Sequence, residues 1–268
     1  MKTILITGAS SGIGRATALY MRKKGWNVAA TMRSPQKESE LTGLSGVQCF
    51  ALDVTRPQTI KTAFAEAIKA FGRIDVVLNN AGFSLIGPFE TTPAVEIERQ
   101  YNTNVFGLMN VVREVLPHFR ANRGGTIINV ASVGGRVGFP LYSLYNSTKF
   151  AVEGFSEAVQ HELSHLGIRV KIIEPGVIKT DFYGRSMGHT YKPGLPDYDA
   201  YVERTHAKLM ALGKGGITPD KVAGKIYKAA VSKGRRMRYS VGADAKALLF
   251  IRRMLPFRFL RWMQRRIF

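Results

Sequence analysis

The sequence predicts an α/β fold, a doubly wound parallel sheet with helices on both faces. Three observations carry this. Short β-branched runs alternate along the chain with long helical patterns, as parallel strands joined by crossover helices do. The first run passes through a glycine turn into a helical pattern, "ILITGASSGIGRATAL". The 268 residues, 45% apolar and 22% charged, suffice for a sizeable core of ordinary globular composition.

Taken in order, strands are expected at residues 3–7, 27–32, 47–52, 74–79, 126–131 and 168–174, and helices at 12–24, 57–71, 93–121 and 143–166. The last helix carries Val152, Phe155, Val159, Leu163 and Leu166 at steps of three and four, a buried stripe, with Gly167 as its stop. At 181–216 the pattern weakens into "YGRSMGHTYKPGLPDYDA", whose Gly and Pro point to a loop or a lid over a substrate site. There is no repeat, low-complexity tract or linker. One domain is therefore expected at 1–242, followed at 243–268 by a basic helical extension that Pro256 divides into two short helices.

Composition narrows the class. Cys49 is the single cysteine, so no intrachain disulfide forms, and its apolar setting "VQCFAL" reads as packing. The apolar start is too short for a signal peptide, and no run approaches the ~18 apolar residues of a spanning helix. A cytoplasmic protein is expected. The histidines lack ligand spacing; His161 and His165, four apart, read as a wet helix face, and no metal is expected.

The net charge is +20, and residues 232–268 hold 11 basic side chains against Asp244 alone. Such a tail suits an anionic partner. In its second helix Leu260, Met263 and Ile267 form one stripe, Arg258, Arg261 and Arg265 lie opposite, and Trp262 and Phe268 add apolar bulk. Two readings stand: the helix lies in a membrane interface, or it packs on the domain or a partner subunit with its arginines solvated. Nucleic acid is not expected, since no recognised binding module accompanies the charge.

The glycine turn holds Gly8, Gly12 and Gly14 between first strand and first helix. Such a turn lets backbone N–H groups approach a pyrophosphate, which the helix dipole also favours. The second strand ends in "AATMRSPQ", with no acid to bind the ribose 2′-hydroxyl of NAD. Arg33 there can pair with a 2′-phosphate and Ser34 can add a donor, which favours NADP over NAD.

In "FPLYSLYNSTKF", Tyr145 and Lys149 are four apart and continue the buried stripe backward. A lysine facing inward is costly unless paired. Spacing leaves two readings: Lys149 lowers the pKa of a working Tyr145, or it snorkels outward while Tyr145 packs.

Together these motifs resemble the short-chain dehydrogenases/reductases, across about residues 1–181. "TGASSGIG" is similar to the family's TGxxxGxG, "LDVT" to its adenine-side acidic motif, "NNAG" to the segment beside the cofactor ribose, "NTNVFG" to the segment with the helix asparagine, and "PGVIKT" to the segment flanking the nicotinamide. "INVASVGG" places Ser132 thirteen residues before Tyr145, and Tyr145 with Lys149 matches YxxxK. One departure stands out: many NADP-preferring members carry a basic residue where this chain has Ser11.

The resemblance implies a Rossmann fold of about seven strands in the order 3-2-1-4-5-6-7, with the site at their carboxyl ends. It implies catalytic roles for Asn104, Ser132, Tyr145 and Lys149, with Asn104 completing a water-linked proton relay. It implies cofactor contacts from Gly8, Ser10, Ser11, Gly12, Ile13 and Gly14, then Arg33, Asp53, Val54, Asn80, Ala81 and Gly82, then Tyr145, Lys149, Pro175, Gly176, Val177 and Thr180. Family members often form dimers or tetramers, so a homo-oligomer is expected.

The residues expected near the pocket are apolar, with Phe83, Phe139, Tyr142 and Phe182 as substrate contacts. The expected activity is NADP-dependent interconversion of a hydroxyl and a carbonyl on a steroid-, retinoid- or lipid-like substrate. The rival is a non-catalytic NADP-binding protein that docks through its basic tail; it has no need of Ser132, Tyr145 and Lys149 together.

Overall fold

A strand covered on both faces must be apolar throughout or satisfied internally, and Thr3–Thr7 (β1) is buried at every residue. The computed structural model describes residues 1–179, 187–191 and 194–267. After β1 come β2 (Asn27–Met32), β3 (Val47–Ala51), β4 (Val76–Asn79), β5 (Ser84–Ile86), β6 (Gly125–Val130), β7 (Ile168–Pro175), β8 (Met187–His189) and β9 (Arg238–Val241). Seven of these form one parallel sheet in the order β3-β2-β1-β4-β6-β7-β9, while β5 and β8 pair separately. Numbered within the main sheet alone, the order is the expected 3-2-1-4-5-6-7.

Alternate side chains of each strand enter opposite cores. Leu5 and Ala29 pack with Phe64 of α2 (Pro57–Phe71), Val111 and Phe119 of α4 (Gly107–Ala121), and Val152 and Val159 of α5 (Ser143–Leu163). Ile4, Ile6 and Val28 face Met21 of α1 (Gly12–Lys23) and Val222 and Ile226 of α7 (Pro219–Val231). Proline in the first turn and a left-handed Gly72 just past the end bound α2 at its expected limits.

Three regions differ from expectation. The long helix expected at 93–121 is broken into α3 (Ala94–Tyr101) and α4 by a π-helical turn over Asn102–Phe106, where the Gly107 N–H bonds to the Asn102 carbonyl. The stretch expected to be a loop or lid contains β8 and a helix, α6 (Pro196–Lys214); residues 180–186 lie outside the described residues. The seventh strand, β9, falls inside the basic run, where Arg238 is folded into ion pairs rather than solvated.

The extension forms two helices around Pro256 as expected, α8 (Ala243–Met254) and α9 (Phe257–Ile267). It is tied to the domain at both ends of α8. The Asp244 carboxylate accepts the Val177 N–H at 2.8 Å, and Arg252 Nε donates to the Arg136 carbonyl at 3.5 Å.

Candidate active site

Most segments singled out in the sequence lie where a strand of the main sheet ends, while Asn104 and the Tyr145–Lys149 pair lie on helices. Gly8 follows β1, Arg33 follows β2, Asp53 lies just past β3, Asn80 follows β4, Ser132 lies two residues past β6, and Gly176 follows β7. Parallel strands put these termini on one edge, so residues distant in sequence converge there. They line a cavity of about 990 Å³.

Gly8 and Gly12 take the positive φ angles +67° and +53° that shape the turn into α1. Gly14 is the close-approach glycine: a Cβ there would lie 2.3 Å from the Gly8 carbonyl oxygen and 2.6 Å from Asn80 Nδ2. The turn is bolted to β4. Asn80 Nδ2 donates to the carbonyls of Thr7 (3.0 Å) and Gly8 (3.1 Å), while Thr7 Oγ1 accepts the N–H groups of Asn80 and Ala81. Thr7 was not foreseen as part of this support.

Asp53 is held in a local turn, its Oδ1 accepting the Thr55 N–H at 3.0 Å and the Thr55 hydroxyl at 2.7 Å. Arg33 is exposed on the cavity wall, and among the described residues no carboxylate pairs with it. Nearby on the same wall, Arg15 pairs with Glu38 at 3.4 Å and with Glu40.

Ser132 and Tyr145 come together at Gly134, and Lys149 lies one turn of α5 beyond Tyr145. A Cβ on Gly134 would lie 3.1 Å from Asn146 Oδ1, 3.4 Å from Ser132 Oγ and 3.6 Å from a ring carbon of Tyr145, so Gly134 packs closely among these side chains. Ser132 Oγ accepts the Gly134 N–H at 3.0 Å. The Tyr145 ring stands edge-on to Tyr142 at 5.8 Å. Lys149 does not snorkel: it is buried, its Nζ donating to the Val130 carbonyl at 2.8 Å and lying 5.7 Å from the Tyr145 ring centroid. Burial pushes the Lys149 ammonium down to about 8, against the opposing pull of Glu153 one turn on.

Beneath Lys149 lies a buried acidic pair that no motif announced. Glu153 of α5 and Glu174 of β7 meet Arg238 at 3.0 and 3.7 Å, and Arg136 reaches Glu174 at 3.4 Å. Burial first, then the neighbouring Glu174, raises Glu153 to about 7 despite the two arginines. The folded state therefore keeps a proton that an unfolded chain releases near 4.5, and stability falls as pH rises from about 4.5 to about 7. Glu153→Gln is expected to flatten the melting temperature across that window; a slope equal to the wild type's would remove Glu153 from this role.

Asn104 lies apart from the cavity wall. It is 2% exposed and fully engaged: its Nδ2 donates to the Phe83 carbonyl (2.8 Å) and Thr148 Oγ1 (3.2 Å), and its Oδ1 accepts the Phe83 N–H at 3.1 Å. The side chain thus pins Phe83 from within the π-helical turn. Such turns recur at functional sites.

The expected cofactor contacts other than Gly14 and Thr180 line the cavity, as do Phe83, Phe139 and Tyr142. Thr180 and Phe182 lie outside the described residues. Met187, Leu209 and Leu212 also line it and were not foreseen. The signal for the last two was present: Pro196 in the first turn with Asp197 and Asp199 marks a helix start, hidden by the Gly- and Pro-containing run before it.

Comparison with known proteins agrees with this geometry. The family model for short chain dehydrogenases matches residues 2–188. The chain is 35% identical over 245 residues to a 3-ketodihydrosphingosine reductase of Bacteroides thetaiotaomicron, covering 91% of this chain and 89% of that protein. A crystal structure of a short-chain dehydrogenase from Streptomyces avermitilis superposes with a TM-score of 0.83 at 32% identity, covering 93% of this chain and 90% of the other. The structure of ElxO with NADP bound gives a TM-score of 0.76 at 29% identity, over 92% and 99% of the two chains. With the matched span, the strand order and the motif order in agreement, this chain belongs to the short-chain dehydrogenase/reductase family and is an oxidoreductase.

Proposed function

We propose that this protein is an NADP-dependent oxidoreductase that interconverts a hydroxyl and a carbonyl on a hydrophobic, lipid-like substrate. The observation that carries the reading is the convergence of Ser132, Tyr145 and buried Lys149 on the wall of one cavity, with Lys149 Nζ 5.7 Å from the Tyr145 ring centroid. The rival non-catalytic reading leaves that convergence without a purpose.

The cavity fits a nicotinamide dinucleotide. The glycine turn brings bare backbone to the cavity wall, α1 points its N-terminus there, and Arg33 and Ser34 offer a cation and a hydroxyl for a 2′-phosphate. The relative ElxO, solved with NADP, is in keeping with this. When bound, the nicotinamide donates or accepts the hydride. Asp53 sits at the adenine end, and Gly176 and Val177 at the nicotinamide end.

The proton is the task of Tyr145. In carbonyl reduction its hydroxyl gives a proton to the substrate oxygen; in alcohol oxidation the phenolate takes one. An ordinary tyrosine, with a pKa near 10, is a poor base at neutral pH. The Lys149 ammonium, fixed by the Val130 carbonyl, stabilises the phenolate. Ser132 holds the substrate oxygen beside Tyr145. Asn104 serves the site by fixing Phe83.

The substrate end is apolar. Phe139, Tyr142, Met187 and Leu209 share the cavity, and Tyr142, Met187 and Leu209 belong to one small core with Ile86 and Leu141. The similarity to a 3-ketodihydrosphingosine reductase points the same way. Self-association through α4 and α5 suits the exposed Phe106, in the turn that leads into α4, and Phe150 on α5.

The test is a turnover screen of wild type and Arg33→Asp with NADPH and NADH against apolar ketones, sugars and keto acids. Wild type is expected to reduce apolar ketones fastest and to prefer NADPH. Arg33→Asp is expected to shift that preference toward NADH by about 10–100-fold, the range of a lost charge-assisted hydrogen bond. Faster turnover of the polar carbonyls overturns the substrate class, and an unchanged preference removes Arg33 from its role.

A further inference from the structure

We propose that the α8–α9 extension docks the protein on an anionic lipid bilayer. The proposal goes beyond the reaction above and does not depend on it.

The extension combines charge and apolar exposure in a way the rest of the surface does not require. Residues 243–268 carry seven basic side chains and one acidic one, Asp244, which is already committed to the Val177 N–H. The ion-paired Arg238 lies before this extension, in β9, and is not part of its charge. Arg253, Arg258, Arg265 and Arg266 are exposed. Between them stand large apolar side chains that a globular surface would cover: Phe250 is 64% exposed, Met254 61%, Trp262 53% and Phe259 41%. Phe259 and Trp262 lie against each other at 5.6 Å, and the Arg266 guanidinium sits 5.6 Å from the Trp262 ring.

This is not a tail lacking a fold of its own. Ala245 and Leu260 are buried and anchor the two helices, so the exposed aromatics are presented on a held scaffold. Short helices with arginines around exposed Trp and Phe suit the boundary of headgroup and acyl chain, where rings enter and guanidinium groups meet phosphate. Complementary charge selects the anionic bilayer as the occupant; a second copy of this chain would bring like charge to like charge. Among the described residues no helix is long and apolar enough to cross a membrane, so docking is at the surface.

The placement has a use. The start of α8 touches Val177 and its end touches Arg136, both just past the carboxyl ends of strands. The extension therefore lies along the edge of the sheet where the cavity is built, and docking would set that edge near a bilayer.

Flotation of the full chain with vesicles tests the proposal. Wild type is expected to float with phosphatidylcholine vesicles containing phosphatidylglycerol and not with pure phosphatidylcholine. Two variants of exposed residues should each lower partitioning by about a hundredfold: R253E/R258E/R265E/R266E, and F250S/F259S/W262S. A control with equal charge reversal elsewhere, K23E/K61E/K69E/R120E, should float within about threefold of wild type. The proposal is overturned if wild type does not float, if both tail variants float as well as wild type, or if the control loses binding equally, since overall charge would then explain it. It is also overturned if the tail variants dissociate an oligomer, or release a DNA duplex, while vesicle binding is unchanged. Circular dichroism melts matching wild type confirm that each variant is folded.

Discussion

Tyr145→Phe is expected to lower kcat for carbonyl reduction by about 10²–10⁴-fold, the usual share of a positioned acid, while NADPH binding stays nearly unchanged. The substitution removes one oxygen and keeps the ring. Phenylalanine still meets Tyr142 edge-on, the wild-type rings being 5.8 Å apart, and Lys149 keeps its bond to the Val130 carbonyl at 2.8 Å. The walls of the cofactor end, from Gly8 to Asp53, do not involve the phenol. Steady-state turnover and a fluorescence titration with NADPH separate the two effects. Undiminished turnover would end the assignment of Tyr145 as the proton carrier; a parallel loss of NADPH binding would make its role structural.

Gly14→Ala should cost about 3 kcal/mol of stability, toward the upper end for overpacking, and lower the melting temperature by roughly 6–12 °C. The obstacle is backbone: the new Cβ would be 2.3 Å from the Gly8 carbonyl oxygen. Relief requires moving α1 or the turn, and the turn is held by Asn80 and, through its neighbours, by Thr7. NADPH affinity should fall with stability, because the same turn faces the cavity. Gly154→Ala is the contrast. Gly154 is exposed on α5, a Cβ there would meet nothing within 4 Å, and alanine should be neutral or stabilising by up to ~1 kcal/mol. Melting curves that did not distinguish the two substitutions would refute the close-packing role of Gly14.

The main sheet was legible because its strands are covered on both faces. β1 and β2 read mostly as apolar or β-branched runs since there is no wet side to break them, and β7 keeps Ile168, Val170, Ile172 and Ile173 among its charged residues. β9 was illegible for the opposite reason. It is a four-residue edge strand that starts with Arg238, whose charge is satisfied by Glu153, Glu157 and Glu174 from other elements. A local reading counts that arginine as surface charge. The π-helical turn around Asn104 left no trace either, since its residues suit a continuous helix; its Gly107-to-Asn102 bond is accompanied by tertiary hydrogen bonds linking Asn104 to Phe83 and Thr148. At the site, Tyr145 and Lys149 were legible as neighbours on one face. That Lys149 turns inward rather than snorkelling was decided by the carbonyl of Val130, nineteen residues away.

The bond from Asp244 to the Val177 N–H makes the chain's end and the wall of its cavity thermodynamic partners. A free energy that steadies one end of this bond is felt at the other, and the effect is reciprocal. A ligand that contacts the wall at Val177 should slow amide exchange at the start of α8, and a surface that binds α8 should tighten that ligand by the same factor. Deleting everything past Gly242 would remove the acceptor along with the arginines, so a shortened chain would mix two losses that point changes on the outer face keep apart.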